Sequence, residues 1–406
     1  MAGYRGYRGG TRRLLLPVLA TGVVVTLGLT GCGSSTDGEA TPSSGRTDTA
    51  PQGQAAPDPG TKISLRPAAG ARDVSPVAPV EVSVTDGEIE DVTLTNPAGK
   101  EVIGKLSADG TSWRVGEPLG FGKTYTWSGT AVGAGGERQE ITGAFATTTP
   151  NGLVGTSINT GDGKTYGVAM PIAVTFDAPV SDKAAAERAM TVRTSVPVEG
   201  AWAWLDDQRA HWRPRNYWPA GTEVTVDLRL YGVPYGDGVY GAADMTSRFT
   251  IGRDQVVKAN TKTHRVRVLR DGRVIQDFPA SMGLESDPGR VTNSGTHVVM
   301  SKHETYKMTN PRYEYFNVEV PWAVRISNNG EFIHGYAPSI PHQGERNVSH
   351  GCVNLSPANA EVYFDAAQIG DPVEITGSTN QLDASDGDYY DWAIPWDEWT
   401  GMSALS

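Results

Sequence analysis

The chain has 406 residues, which is too long for one ordinary domain and predicts about two to four. Hydrophobic residues make up 38% of it, enough for true cores, while 49 Gly and 26 Pro favour strands and turns over long helices. Acidic residues outnumber basic ones by 46 to 35, and a surface of that charge repels phosphate backbones. The composition therefore argues against nucleic acid as a partner.

The first 31 residues are predicted to form a signal peptide. Arginines precede an apolar run, Leu14–Leu29, that is too short and too interrupted by Pro and Gly to span a membrane. The run leads into Leu29-Thr30-Gly31-Cys32, which resembles the lipobox of bacterial lipoproteins. This resemblance implies that Cys32 receives lipid and that the protein is anchored to the cell membrane on its cell-wall face. The alternative is an ordinary signal peptide cleaved nearby, with Cys32 incidental.

Residues 32–60 are rich in Ser, Thr, Gly and Pro and contain almost no large apolar side chain. Such a segment cannot bury enough surface to offset the entropy that ordering would cost. We predict a flexible linker.

Two similar β segments follow, over residues 61–149 and 150–252. The first contains the alternating run Pro79–Val84, and the second contains a matching run, Pro171–Phe176, about one immunoglobulin-domain length later. Short alternating strands separated by turn residues are typical of sandwiches. We therefore predict two tandem immunoglobulin-like β-sandwiches, acting as spacers or wall-binding modules, with no catalytic cluster in either.

Residues 253–377 are predicted to form a mainly β catalytic domain. Asp271-Gly272 lies between two alternating runs, which is a strong hairpin signal. Asn359–Ala367 is predicted to be a helix, with Ser356 as its N-cap and Pro357 at its first position.

Residues 378–406 form a Trp-rich C-terminal extension, in which Trp392, Trp396 and Trp399 lie close together. An aromatic platform for sugars is one interpretation. We favour the other, in which the rings pack the extension onto the catalytic domain or the second sandwich, because each ring buries roughly 150–250 Å².

The reactive chemistry is concentrated around Cys352. Exported proteins rarely keep an unpaired cysteine, and Cys352 has no disulfide partner if Cys32 is lipidated. A lone thiol retained beside histidines is a candidate nucleophile, and a nearby imidazolium would lower its pKa. His350 and His334 are both candidates for that partner, and spacing alone does not choose between them. A buried, inert cysteine is the structural alternative.

Two motifs carry a specific resemblance. Ile333-His334-Gly335 and Ser349-His350-Gly351-Cys352-Val353-Asn354 resemble the signature of the L,D-transpeptidase (YkuD) family, in its actinobacterial lipoprotein type with two immunoglobulin-like domains. Membership would imply an enzyme without a cofactor that forms 3→3 cross-links in peptidoglycan. Its substrates would be a tetrapeptide donor stem and an amine-bearing acceptor stem, and carbapenems would inhibit it.

The resemblance also implies roles for individual residues. Cys352 would be the nucleophile, His334 its base, and the carbonyl of Gly335 the third member of the triad. His350 would orient the loop by hydrogen bonding. The backbone N–H groups of His350, Gly351 and Cys352 would face the oxyanion.

Further residues would contact the substrate. The family often has a tyrosine that adds an oxyanion donor, and simple counting places Phe316 at that position with Tyr315 beside it. Tyr306 matches a lid tyrosine, and Met300 lies at the start of that flap. The predicted substrate-binding residues are Tyr306, Met300, Ser349, Asn354 and Tyr315.

The sequence also allows three other functions. His334, His342 and His350 recur at intervals of eight, which could indicate zinc, but no His-Glu-x-x-His or paired-cysteine spacing accompanies them. We therefore predict no metal. The same thioester resolved by water would make the enzyme an L,D-carboxypeptidase or cross-link hydrolase. From another class, the protein could be a non-catalytic wall-binding lipoprotein.

Overall fold

The computed structural model describes residues 60–387 and 389–406. The predicted signal peptide, Cys32 and the linker up to residue 59 lie outside the described residues. In the described part, no helix is long and apolar enough to cross a membrane. The prediction of a mainly β chain is confirmed, since strands dominate from residue 62 to residue 376.

The first β region is a two-layer sandwich. Its strands are β1 (Lys62–Arg66), β2 (Glu81–Thr85), β3 (Gly87–Thr95), β4 (Gly104–Leu106), β5 (Ser112–Val115), β6 (Thr124–Gly133) and β7 (Arg138–Ala146). One sheet has the order β1-β2-β5-β4 and the other the order β3-β6-β7. Both sheets send alternate side chains into one core, where Trp113 and Trp127 meet edge to face at 5.4 Å.

The second β region is another sandwich. Its elements are β8 (Gly152–Val154), β9 (Thr156–Ile158), β10 (Lys164–Tyr166), β11 (Ile172–Phe176), α1 (Lys183–Arg188), β12 (Met190–Thr194), β13 (Gly200–Trp204), β14 (Arg209–Pro214), β15 (Glu223–Leu228), β16 (Pro234–Gly236), β17 (Val239–Gly241) and β18 (Met245–Ile251). Sheets of order β13-β14-β11-β9 and β10-β18-β15-β12 enclose a core that includes Phe176 and Trp218. A small third sheet has the order β16-β17-β8.

The third β region carries the two motifs. Its elements are β19 (Gln255–Asn260), β20 (Arg265–Arg270), β21 (Arg273–Pro279), β22 (Gly295–Val298), β23 (Ser301–Asn310), β24 (Tyr315–Arg325), β25 (Phe332–Gly335), β26 (Val353–Leu355), α2 (Pro357–Ala366) and β27 (Pro372–Thr376). One sheet has the order β21-β20-β19-β27-β22 and the other the order β23-β24-β25-β26. Both sheets and α2 share one core, to which Val257, Ile333 and Tyr363 contribute.

Two local predictions in this region are confirmed. Asp271 and Gly272 join β20 to β21 with φ values of 50° and 73°, the left-handed values that a tight hairpin turn needs. Helix α2 begins at Pro357, and the hydroxyl of Ser356 accepts the backbone N–H of Asn359 at 3.2 Å. Short 3₁₀ helices cover Pro311–Tyr313, Ala337–His342, Ala384–Asp386 and Asp391–Ala393.

The C-terminal extension packs on the second sandwich, as the sequence predicts. It ends in helix α3 (Trp396–Gly401). Trp399 is fully buried, and the indoles of Trp392 and Trp399 donate to main-chain carbonyls of the sandwich at 2.8 and 3.0 Å. The guanidinium of Arg213 lies 4.7–5.2 Å from the ring centres of Trp392, Trp396 and Trp399. Beside them, Nδ1 of buried His211 lies 2.8 Å from Oδ1 of buried Asp391.

The second and third regions meet by close backbone contact. The N–H of Gly167 donates to the carbonyl of Ile369 at 2.7 Å. A Cβ added to Gly167 would collide with the backbone of Gly370 and Asp371, so only glycine fits there. Asp371 is fully buried and accepts hydrogen bonds from Gln255 and the Gln368 backbone. Burial raises its pKa to about 6, although Arg253 opposes the shift.

Candidate active site

Strand β25 positions the candidate base. All four of its residues are buried, and His334 lies opposite Asn354 of β26 in parallel register. Nδ1 of His334 lies 3.0 Å from the carbonyl oxygen of Gly335. Because a carbonyl can only accept, the proton is assigned to Nδ1, which leaves Nε2 free to take a proton. The contact expected between His334 and the Gly335 carbonyl is therefore present.

The candidate nucleophile, Cys352, lies at the end of a short loop that is held by several hydrogen bonds. The hydroxyl of Ser349 donates to the carbonyl of Cys352 at 2.6 Å and accepts the N–H of Gly351 at 3.2 Å. Gly351 has φ +115°, a conformation that favours glycine, and its carbonyl accepts from Oγ1 of Thr292 at 2.7 Å. Ser349 therefore uses its hydroxyl within the loop. Of the three N–H groups expected to face the oxyanion, that of Gly351 already has a partner.

Burial disfavours the charged forms of both Cys352 and His334. Cys352 is half-buried, and Sγ lies 3.6 Å from the carbonyl oxygen of Gly330. Burial raises the pKa of its thiol to about 12; the Phe332 backbone N–H lowers that pKa, and the Glu331 carboxylate raises it. Burial also lowers the pKa of His334 to about 4. Burial therefore opposes the imidazolium that a thiolate–imidazolium pair would need.

Two cavities meet at Cys352. The apolar cavity, of about 310 Å³, is lined by Met308, Tyr313, Tyr315, Val318, Val320, His334, Tyr336, Val348, Ser349, His350, Cys352 and Asn354. The polar cavity, of about 430 Å³, is lined by Gly289, Val291, Tyr306, Lys307, Met308, Thr309, Asn310, Arg312, Tyr313, Tyr315, Arg325, Asn328–Phe332, His350, Gly351 and Cys352. Cys352 belongs to both walls. Asn354 is buried in the apolar cavity, and its Oδ1 has no hydrogen-bond partner among residues 60–387 and 389–406.

The flap predicted around residues 300–315 is a β-hairpin formed by β23 and β24. Tyr315 lines both cavities, whereas Phe316 is 60% exposed, so Tyr315 is the aromatic residue that faces the site. Tyr306 lines the polar cavity, and its hydroxyl accepts from Arg325 at 2.9 Å. The prediction that Met300 contacts the substrate is wrong. Met300 lies at the base of the hairpin, outside both cavity walls, because residues 301–310 extend away from it as a strand.

The predicted role of His350 is also wrong. It was expected to orient the loop by hydrogen bonding, but its described contacts are with aromatic rings. Its ring centre lies 4.8 Å from that of Tyr313 and 5.4 Å from that of Tyr315. The side chain is exposed and lies on the wall shared by the two cavities. Partial burial and the charge of Arg290 lower its pKa.

The three histidines at intervals of eight do not gather. His342 accepts from Arg346 at 2.9 Å through Nδ1, while His334 faces the Gly335 carbonyl and His350 faces the hairpin. Within the described ranges, no group of three or more His, Cys, Asp or Glu side chains could hold a metal ion.

Several residues of the site carried no signal in the sequence. Arg290 donates to the carbonyl of Ser349 at 3.1 Å and also to that of Val348, and Thr292 holds the Gly351 carbonyl. These residues lie about 60 positions before the loop, and only the fold brings them to it. The aromatic and apolar wall residues were missed for the same reason; they are Met308, Tyr313, Val318, Val320 and Tyr336.

This mainly β fold places Cys352 and His334 on the wall of one cavity, an arrangement typical of enzymes with a cysteine nucleophile. The sequence profile of the L,D-transpeptidase catalytic domain matches residues 254–375, and that of a bacterial Ig domain matches residues 71–234. L,D-transpeptidase 5 of Mycobacterium tuberculosis is 52% identical over 354 residues, covering 86% of this chain and 78% of that protein. L,D-transpeptidase 2 of the same species is 37% identical, covering 84% of this chain and 85% of that protein.

The chain belongs to the L,D-transpeptidase (YkuD) family, and the predicted membership is confirmed. A solved structure of an L,D-transpeptidase in complex with imipenem is 34% identical, with a TM-score of 0.47, and covers 55% of this chain and 100% of that one.

Proposed function

We propose that this L,D-transpeptidase forms 3→3 cross-links between the stem peptides of peptidoglycan. The observation that carries the proposal is the position of Cys352 at the junction of two cavities of different character. Transfer of an acyl group between two peptides requires room for both beside one nucleophile. The two cavities that share Cys352 support this requirement, because one can hold the acyl part of the donor while the other holds first the leaving residue and then the acceptor amine.

The first half-reaction forms a thioester. The Cys352 thiol passes its proton to Nε2 of His334 as sulfur attacks the carbonyl carbon between residues three and four of the donor tetrapeptide. The oxyanion accepts hydrogen bonds from backbone N–H groups of His350 and Cys352. The C–N bond then breaks, and the departing D-Ala amine takes the proton from His334.

The second half-reaction forms the cross-link. The side-chain amine at residue three of an acceptor stem attacks the thioester carbonyl and gives a proton to His334. The C–S bond breaks, and sulfur takes that proton back as the new amide is released. Water at about 55 M competes with the amine, so the site must hold the acceptor close and limit access for water. The apolar wall of Met308, Val318 and Val320 supports this.

The test is mass spectrometry of muropeptides after incubating the protein with disaccharide-tetrapeptide donor and an amine-bearing acceptor. Dimer should exceed tripeptide, and Cys352→Ala should give neither product. Tripeptide alone at saturating acceptor would replace this proposal with an L,D-carboxypeptidase or cross-link hydrolase. If Cys352 reacts with no donor and with no thiol-directed β-lactam, the alternative of a non-catalytic wall-binding protein replaces this proposal.

We propose that carbapenems inhibit the enzyme by acylating Cys352 in the same way as the donor peptide. The strained lactam carbonyl would take the place of the donor carbonyl, and ring opening would leave a thioester on Cys352. A protein mass increased by one carbapenem, absent in Cys352→Ala, is the expected result.

The membrane anchor is a separate proposal, carried by the lipobox-like Leu29-Thr30-Gly31-Cys32. Lipid on Cys32 would hold the catalytic region at the outer face of the cell membrane, facing the wall. More than one acyl chain is needed for stable anchoring. Wild-type protein should enter the detergent phase in a two-phase partition, and Cys32→Ala should not. Wild-type protein recovered in the aqueous phase would refute the anchor without affecting the enzyme.

A further inference from the structure

The polar cavity contains an unusual concentration of positive charge for an acidic chain. Lys307, Arg312 and Arg325 line it, although the chain as a whole carries a formal charge of −11. The one carboxylate on its wall, Glu331, is 4% exposed, and Oε2 lies 3.7 Å from Nδ1 of buried His297. The accessible part of this cavity is therefore cationic.

Two of these cations are available to a ligand. Lys307 and Arg312 are exposed, and neither forms an ion pair with a residue of the described chain. Arg312 lies over the ring of Tyr313, which belongs to both cavity walls, at 5.4 Å. Arg325 differs, because its guanidinium donates to the Tyr306 hydroxyl and to a main-chain carbonyl.

The nearby acidic residues Glu319 and Asp287 lie outside the wall of the polar cavity. Glu319 lies opposite Lys307 in the hairpin register, but it does not line the cavity. Asp287 accepts from the Tyr313 hydroxyl at 3.2 Å and is likewise outside the wall. An anion inside the polar cavity would therefore have Lys307 and Arg312 on the wall around it.

The chemistry of the donor places an anion on one side of the scissile bond. The nitrogen that leaves belongs to residue four, and the free carboxylate of that residue is only two bonds from the nitrogen. When the carbonyl carbon is about 3–3.5 Å from Sγ of Cys352, this carboxylate must lie close by, on the side of the leaving group. The acyl side of the donor carries no charge so near the reacting carbon.

We propose that the polar cavity binds the carboxylate of the residue that leaves, and that Lys307 and Arg312 recognise it. This inference rests on the proposed function. It assigns the acyl part of the donor to the apolar cavity, where Asn354 offers a free oxygen to a peptide N–H. It also makes the enzyme selective for donors that end at residue four, because a fifth residue would move the carboxylate away from the two cations.

The same site serves the acceptor. Amide formation at the thioester is the reverse of amide cleavage, so the incoming amine approaches along the path by which the leaving amine departed. An acceptor whose amine has a carboxylate on the adjacent carbon would place that group between Lys307 and Arg312. A simple alkylamine of equal length would lack this contact and should be a poorer acceptor.

The experiment compares two donors on the full protein: a tetrapeptide ending in carboxylate and the same peptide ending in carboxamide. The measurement is kcat/KM for acylation, followed by release of D-Ala or its amide without any acceptor. Wild-type enzyme should prefer the carboxylate by about tenfold or more, as charge-assisted hydrogen bonds allow. Lys307→Gln/Arg312→Gln should bring the ratio of the two values close to one.

Lys262→Gln/Arg273→Gln is the matched control. It removes the same two charges from exposed positions of the same region that line neither cavity, and it should keep the wild-type ratio. The wild-type preference should also fall as salt rises, because exposed cations are screened. Equal kcat/KM for the two donors in wild-type enzyme, or a full preference in the Lys307/Arg312 variant, would overturn the inference.

Failure of the proposed cross-linking activity can be distinguished from failure of carboxylate recognition by Lys307 and Arg312. If acylation occurs but only tripeptide forms with acceptor, cross-linking is wrong while the donor ratio still decides the inference. If neither donor acylates, calorimetry with Cys352→Ala measures the affinity of the two peptides directly. Tighter binding of the carboxylate, lost in Lys307→Gln/Arg312→Gln, supports the site, and equal affinity overturns it.

Discussion

The reactivity of Cys352 towards a small electrophile should reveal whether its thiol is neutral at rest. The perturbation is pH, with iodoacetamide as the probe and mass spectrometry of the Cys352 peptide as the readout. Burial raises the thiol pKa from an ordinary 9.0 to about 12 and lowers the pKa of His334 to about 4. The thiolate should therefore be scarce from pH 5 to pH 9, without an imidazolium to stabilise it.

The size of the effect follows from the shift in pKa. Three pKa units lower the thiolate fraction about a thousandfold relative to an unperturbed cysteine. A more basic thiolate is also a better nucleophile, and a Brønsted coefficient of about 0.4–0.5 restores roughly 20- to 30-fold of the loss. Alkylation should thus be about 30- to 50-fold slower than for an unperturbed cysteine. The rate should rise about tenfold per pH unit between pH 6 and pH 10 without a plateau.

The His334→Ala variant distinguishes a neutral Cys352–His334 pair from a preformed thiolate–imidazolium pair. With a neutral pair, loss of the imidazole should leave alkylation at pH 7 nearly unchanged, whereas acylation by a donor peptide should fall about 10²- to 10⁴-fold, because general-base transfer is lost. The donor reaction of the wild-type enzyme should stay constant from pH 5 to pH 7, since His334 is protonated only near pH 4. An alkylation plateau with an apparent pKa below 7 that His334→Ala abolishes would show a preformed ion pair and refute this reasoning.

Three further substitutions test the site and its support. Tyr315→Phe removes a hydroxyl from the wall that both cavities share; if that hydroxyl stabilises the oxyanion, stopped-flow acylation should slow about 10²- to 10³-fold with an unchanged melting temperature. Gly167→Ala forces a methyl group against the Gly370 backbone and should lower the free energy of unfolding in urea by about 1–3 kcal/mol. Asp391→Ala leaves buried His211 without its hydrogen-bond partner and should lower the same free energy by about 1–3 kcal/mol, with faster hydrogen exchange in the C-terminal extension.

The sequence predicted the centre of the site because its residues are local to two short strands. His334 ends an apolar run, and Cys352 directly precedes another, so parallel pairing of β25 and β26 brings both to one edge. The carbonyl of Gly335 is fixed by the chain itself, one residue after the ring that it contacts. Predictions of this kind need only the motif and the direction of the strands.

The walls of the site could not be predicted in the same way. Tyr315 and Phe316 are adjacent, and only the course of β24 after the left-handed Glu314 decides which of them faces inward. Met300 is near the site in sequence, but the length of β23 places Met308 on the cavity wall instead. A shift of one residue on a strand moves a side chain to the opposite face, which a sequence pattern without tertiary contacts does not fix.

The protonation state of the pair depends on burial, and burial is a property of the whole fold. A cysteine beside a histidine indicates a thiolate only where water or a permanent charge stabilises the ions. Here burial and the Glu331 carboxylate oppose ionisation of the sulfur, and the charge of Arg325 offsets only part of that effect. A neutral thiol resists oxidation better than a thiolate, because the thiolate is the species that oxidants attack. Burial should thus keep Cys352 slow towards small electrophiles, so that a bound donor, with Nε2 of His334 positioned to accept the proton, is needed to activate it.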